Sequence, residues 1–199
     1  MHIAEGVLST GILCTAAGLT GLGTVLGLKR LANEDLLKAG ILSALFFVAS
    51  LIHIPIGVSS AHLIATGLLG VFLGWGAFPA ILSALTLQAV FFQFGGLTVL
   101  GVNTWNMAFS AVLAGWCFQA VKRLCTGRRC VSVAGFLAGF LGVFFAALLT
   151  ALSLAFSSEG FSTAATALFV AHVPIMLAEG LITMFTLAFI ARVRPELLP

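Results

Sequence analysis

The chain has 199 residues, 61% of them hydrophobic and 8% charged, with a formal net charge of +3 and a mean hydropathy of +1.20. A soluble domain carries about 25% charged residues, so the composition excludes one and specifies an integral membrane protein. The apolar stretches are long and Gly-rich rather than alternating, which excludes a β-barrel and leaves an all-α bundle in a single polytopic domain, residues 1–199.

Met1 and His2 open the chain. A free terminal amine, the His2 backbone amide nitrogen and the His2 imidazole Nδ1 can close fused rings around one ion and leave a fourth planar position open. A flat four-nitrogen field suits Ni(II) or Cu(II), and less readily Co(II), whereas Mg(II) and Ca(II) want oxygen ligands. The dipeptide alone says little, because every unprocessed chain begins with Met; its meaning depends on imidazoles elsewhere. Residues 1–6 lack a basic segment and the first apolar run is long enough to span, so no cleavable signal is expected and Met1 is expected to be the mature terminus.

Seven spans can be drawn, at 7–28, 36–52, 61–77, 78–94, 104–121, 131–156 and 165–191, each near the ~17–25 residues a crossing needs. In the first, Ala17, Gly21, Gly23 and Gly27 permit close helix contact, either inside the bundle or with a partner. The third and fourth meet at Gly76-Ala77-Phe78-Pro79 as a tight helical hairpin, with Pro79 suited to a first turn. The nine Lys and Arg follow spans one, five and seven: Lys29, Arg30 and Lys38, then Lys122, Arg123, Arg128 and Arg129, then Arg192 and Arg194. With seven spans and an extracytoplasmic amino terminus, all nine fall on the cytoplasmic face. The same topology puts all four histidines, His2, His53, His62 and His172, in the outer half, which points to an extracytoplasmic metal site.

The segment from His53 to His62 combines Pro55, Gly57, Ser59 and Ser60, so its backbone continues neither flanking helix and must line a cavity or be covered by protein. His62, at the start of span three, is the candidate fourth ligand; His53 is a candidate to orient an imidazole or a loop carbonyl. A second outer loop runs from Gln93 through Gly95 and Gly96 to Asn103, and Gln93, Asn103 and Asn106 can hydrogen-bond the amino-terminal segment, although Asn106 reads more simply as a cap. In span seven His172 and Glu179 lie seven residues apart on one helix face. Ionisable groups within a membrane face protein or water, and Glu179 suits a structural hydrogen bond to a neighbouring helix better than ligation.

Cys14 and Cys117 sit in apolar segments and Cys125 and Cys130 flank Gly127-Arg128-Arg129; all four read as reduced thiols. No H-E-x-x-H, G-x-S-x-G or G-x-x-x-x-G-K-[ST] motif occurs, so the chain reads as no enzyme, carries no cofactor, and must draw any energy from a partner or an ion gradient.

Four segments resemble the membrane-embedded M component, the substrate-binding S component, of energy-coupling-factor nickel and cobalt transporters, the NikM/CbiM family. They are Met1 to Ser9; His53-Ile54-Pro55-Ile56-Gly57 with Ser60, His62 and Leu63; Gln88 to Asn103; and His172-Val173-Pro174 with Glu179 and Gly180. The resemblance runs from end to end. It implies that residues 1 and 2 insert into the bundle from outside, and that the Met1 amine, His2 amide, His2 imidazole and His62 imidazole form a square-planar site for one Ni(II), with Co(II) as the alternative. His53, Ser59, Ser60, Gln93, Asn103, His172 and Glu179 stand as residues that orient those ligands or replace one. It also implies a transmembrane coupling subunit, cytoplasmic ATPase subunits and a small accessory membrane subunit as partners, with no nucleic acid, in a prokaryotic cytoplasmic (inner) membrane. The chain ends at Pro199, so the accessory part is expected as a separate protein. The His in the outer loop leans toward nickel. Two other classes compete: a haem-binding redox protein, which needs imidazoles facing across the bundle, and a stand-alone channel or permease, which needs an intramembrane polar path for which only His172 and Glu179 qualify.

Overall fold

In hydrocarbon every backbone N–H and C=O must find a partner within its own segment, so long apolar runs become helices. A computed structural model of the chain describes residues 2–51, 53–56, 59–157 and 159–199, with the backbone alone for 53–56, 59, 60 and 159. After an irregular start come α1 (Thr10–Arg30), α2 (Leu36–Leu51), a hairpin of β1 (His53–Ile56) and β2 (Ser59–His62), α3 (Thr66–Leu73), α4 (Ala77–Phe92), α5 (Leu100–Leu124), α6 (Arg128–Ala155), α7 (Ser162–Ala171) and α8 (Val173–Val193). Four stretches, Thr10–Arg30, Thr66–Phe92, Arg128–Ala155 and Ser162–Val193, are long and apolar enough to cross a membrane.

Three expectations change. The third span does not begin at residue 61: His62 closes a β-hairpin in which it pairs with His53, and α3 has only eight residues. The break before the fourth span comes earlier than Gly76-Pro79, in a 3-10 turn at Gly74–Gly76 that Gly74 enters at φ +51°, backbone that suits glycine. The seventh span is two helices meeting at His172, because Pro174 has no N–H with which to continue α7. A fourth change is covalent. Cys125 and Cys130 are joined as a disulfide rather than reduced, because the turn between α5 and α6 holds their Cα atoms 5.7 Å apart, within the usual disulfide range. Cys14 and Cys117 are free.

The helices share a core. α6 packs along α5 and α8, and α3 is wedged between α5 and α6. The wedge depends on glycine: a methyl on Gly70 would strike the Ala111 carbonyl and the Gly115 backbone, and one on Gly67 would strike Gly139. On α1, Gly23 and Gly27 receive Phe78, Trp75 and Pro79, while a methyl on Gly21 would meet nothing; the small residues of that helix thus serve an internal contact on one side only. One core cluster surrounds Ile3, Ile64, Phe46, Phe78 and Met107, and a smaller one gathers Leu68, Val71, Phe118, Val131 and Leu187.

The start of α3 is held from outside. Ala65 adopts φ +50°, left-handed backbone that is unfavourable for a residue with a Cβ by about 1–2 kcal/mol. The Glu179 carboxylate, from α8, accepts hydrogen bonds from the Ile64 and Ala65 N–H groups at 2.6 and 2.8 Å. A carboxylate there also faces the positive end of the helix dipole.

All basic residues lie at helix ends: Lys29 and Arg30 close α1, Lys38 is in the first turn of α2, Lys122 and Arg123 close α5, Arg128 and Arg129 open α6, and Arg192 and Arg194 close α8. Lys122, Arg128, Ala191 and Pro195 border one crevice and Lys38, Ile190 and Leu197 another, so these ends meet on one side of the bundle. His2 and His62 lie toward the other.

Candidate metal centre

The amino-terminal segment is threaded inward: His2 and Ile3 are buried, at 7% and 0% exposure. Two clamps hold it. Ile3 N–H donates to Asn103 Oδ1 at 3.0 Å, and Asn103 Nδ2 donates back to the Ile3 carbonyl at 3.2 Å, a side chain imitating a strand partner. Glu5 accepts from the Thr98 backbone N–H at 2.9 Å and from its hydroxyl at 3.0 Å, and these bonds hold the Glu5 carboxyl below its usual range. Gly6, at φ +77°, then turns the chain toward α1.

His2 and His62 face each other. His2 Nδ1 lies 3.0 Å from His62 Nε2, with the ring centroids 4.7 Å apart. The remaining nitrogens determine where the protons are. His62 Nδ1 is 3.0 Å from the Leu63 carbonyl oxygen, which can only accept, so Nδ1 carries the hydrogen and Nε2 presents a lone pair. Gln88 Nε2 lies 3.0 Å from the Phe47 carbonyl, which identifies that end of the amide as the NH₂ group; its oxygen, Oε1, therefore accepts from His2 Nε2 at 2.9 Å. His2 Nδ1 is then also a lone pair. Ser50, which donates to the Phe46 carbonyl at 2.7 Å, accepts a second hydrogen from Gln88 Nε2 and fixes the amide further.

In these tautomers the two imidazoles turn the lone pairs of His2 Nδ1 and His62 Nε2 toward each other at 3.0 Å. Two nitrogen lone pairs converging in this way suit a cation, either a proton or a metal ion. Imidazole nitrogens at about 2.0–2.1 Å from one ion are about 2.9 Å apart at adjacent corners of a square and about 4.1 Å apart at opposite corners. The observed separation of 3.0 Å fits adjacent corners. Metal-bound histidines characteristically give their other N–H to a carbonyl or carboxylate, as both do here.

The other sequence candidates are distributed as follows. Met1 lies outside the described residues. His53, Ser59 and Ser60 are in the hairpin, with His53 opposite His62 in register, and their side chains are outside what is described. Gln93 is exposed and ends α4 at φ +57° with its backbone N–H on the Gln88 carbonyl, while its side chain makes no hydrogen bond among the described residues and does not tie down the amino terminus. Asn106 is no cap: it is buried and bonds Thr150 and Ser153 across the α5–α6 contact at 3.4 and 3.3 Å. His172 is fully buried; its Nδ1 donates to the Leu168 carbonyl at 2.7 Å. Among the described residues no three His, Cys, Asp or Glu side chains converge on one point. Gln88, Ser50 and Glu5 were missed as single residues. The available signal for Gln88 was an amide inside an otherwise apolar helix, which is expensive unless it is used.

Comparison with known proteins gives a consistent result. A family model described as CbiM, cobalt uptake substrate-specific transmembrane region, matches residues 2–197. A protein of Haemophilus influenzae named for metal transport is 38% identical over 100% of this chain and 97% of its own length. The cobalt transport protein CbiM of Sorangium cellulosum is 33% identical, covering 100% of this chain and 94% of that protein. A protein of Archaeoglobus fulgidus named as a fused nickel transport protein NikMN is also 33% identical, and the match takes up 68% of it. The crystal structure of a transition metal transporter superposes with a TM-score of 0.85 at 26% identity, over 97% of this chain and 93% of that one.

Proposed function

Because the chain belongs to the CbiM family of multi-pass membrane proteins for cobalt and nickel transport, we propose that it is the substrate-binding membrane subunit of an ATP-driven metal importer and captures one Ni(II). The Met1 amine, the deprotonated His2 amide, His2 Nδ1 and His62 Nε2 form a square-planar set. The chelate places the His2 imidazole next to the His62 ligand, at adjacent corners. The observation that carries this reading is the pair of lone pairs held 3.0 Å apart by carbonyl acceptors on their far sides.

Seven crossings with the amino terminus outside put the site near the outer face and the gathered basic ends in the cytoplasm. The membrane is the prokaryotic inner membrane. With no phosphate-binding loop, the chain relies on cytoplasmic ATPase subunits acting through a transmembrane coupling subunit, alongside a small accessory membrane subunit. Metal binds, the His2 amide loses its proton, and the outer loops close over the ion before the ATPases drive its release inward.

Co(II) is the second reading, favoured by the description of the family. Calorimetry and visible spectroscopy on a carboxy-terminally tagged chain decide between them. The parent should give a yellow, square-planar Ni(II) signal, and one extra residue between Met1 and His2 should abolish it while the fold survives. Equal binding by both proteins would remove the terminal chelate from the site, and stronger Co(II) than Ni(II) binding would make cobalt the cargo.

A further inference from the structure

From the described side chains we infer that the ion leaves the capture site along the seam between α3, α6 and α8, with His172 Nε2 as its next ligand and Glu179, Thr66 and Thr183 as the oxygen donors beyond. The inference rests on the import reading above and adds the route and its residues.

His172 repeats the arrangement of His62. Its Nδ1–H is committed to the Leu168 carbonyl, which leaves Nε2 as a lone pair, and that nitrogen is buried without a partner among the described residues. A buried acceptor of this kind is unfavourable unless something occupies it part of the time. α7, which His172 ends, packs on β2, the strand that His62 closes.

Inward from His172 the buried stripe of α8 runs through Met176, Glu179, Thr183 and Leu187. Both hydrogen bonds to Glu179 end on Oε1, so Oε2 has no partner among the described residues. The Thr183 and Thr66 hydroxyls are buried and also without partners. They share one seam, because Thr183 lies against Gly139 of α6 and Thr66 against Gly142. Three of the five orphaned buried polar atoms among the described residues thus fall on this line, beside a buried carboxylate. From residue 172 to 183 the helix rises about 16 Å at about 1.5 Å per residue, roughly half of a ~30 Å hydrocarbon core.

The line then ends in apolar packing. Leu187 lies against Gly135, and with Phe118, Val71 and Leu68 it closes the inner end. A polar outer half ended by an apolar plug holds an ion until the helices separate. The glycines supply contacts that can part without unlocking side chains, and Glu179, fastened to the start of α3, links movement of α8 to that of α3.

The test separates capture from passage. Equilibrium Ni(II) and Co(II) binding is measured on the full chain, and initial ATP-driven uptake on the complete transporter in proteoliposomes. His172→Gln should bind within twofold of the parent and take up metal at least tenfold more slowly. Thr183→Val, a change of shape by one atom, should slow uptake at least threefold with binding unchanged, and Thr183→Ser should restore it. Uptake within twofold of the parent for both His172→Gln and Thr183→Val overturns the route. So does His172→Gln that keeps the parent's circular dichroism and elution volume but loses binding, since His172 would then belong to the capture site. If His172→Gln does not fold, the two Thr183 variants decide. A parent chain that binds neither ion would sink the import reading instead, an outcome distinct from the others.

Discussion

Gln88→Leu should weaken Ni(II) binding by about 10–100-fold, or about 1.4–2.7 kcal/mol, without removing any proposed ligand. In the parent protein the Gln88 oxygen takes the His2 Nε2 hydrogen and so keeps Nδ1 as a lone pair aimed at His62. With leucine at 88 that hydrogen loses its buried acceptor, a penalty of about 1–3 kcal/mol. His2 escapes it by moving the proton to Nδ1, where it bonds His62 Nε2. An incoming ion then meets one closed hydrogen bond instead of two open lone pairs, and must restore the unfavourable tautomer before binding. Leucine leaves little else unsatisfied, because Ser50 still donates to the Phe46 carbonyl. Gln88→Glu keeps an acceptor toward His2 and should bind at or above the parent's affinity. Calorimetry on the two variants and the parent, with thermal unfolding as the control for fold, is the assay. A folded Gln88→Leu protein that binds within twofold of the parent would refute the tautomer argument.

Asn103→Leu removes both bonds to Ile3, each worth about 0.5–1.5 kcal/mol net; nickel affinity should fall about tenfold, and limited proteolysis should cut near residue 3 faster. Gly70→Ala drives a methyl into the Ala111 carbonyl and should destabilise the chain by about 1–3 kcal/mol or more, read as loss of folded protein on size exclusion. Nickel affinity should drop as pH falls, because protons compete with the metal for the proposed amine and imidazole ligands; affinity flat from neutral to acidic pH would contradict this. The Glu5 clamp should outlast that loss. Its folded pKa lies below the unfolded value, so its contribution is present above the unfolded pKa and disappears only as pH falls through the folded one. Ile3 amide protection in hydrogen exchange should therefore persist below the pH at which nickel is released.

The sequence was readable where function concentrates unusual residues in an apolar chain. His2, His62, Asn103 and Glu179 stand out because polar groups are scarce there, and the structure puts His2 beside His62, Asn103 on Ile3 and Glu179 on the start of α3. Helical cores were equally plain, since α1, α2, α4, α5 and α6 lie within a few residues of their expected bounds. What was hidden depends on packing. An amide such as Gln88 signals a hydrogen bond but not to whom, and its partner is 86 residues away. The hairpin at 53–62 reads as a turn because its alternation is too short to separate from loop composition. The division at His172 rests on one proline, which helices in membranes often tolerate without breaking. Cys125 and Cys130 were read as thiols because composition gives no through-space distance, and the turn that supplies one is a property of the fold.

The partners of the first five residues come late in the chain. His2 waits for Gln88 and Ile3 for Asn103, separations of 86 and 100 residues. At about 5–20 residues per second of synthesis, the amino terminus emerges some ~5–20 s before the last of its clamps exists. Throughout that interval the segment that later buries His2 and Ile3 has none of these partners to hold it. The burial of the amino-terminal segment is therefore finished only by the growing chain folding back over its own beginning.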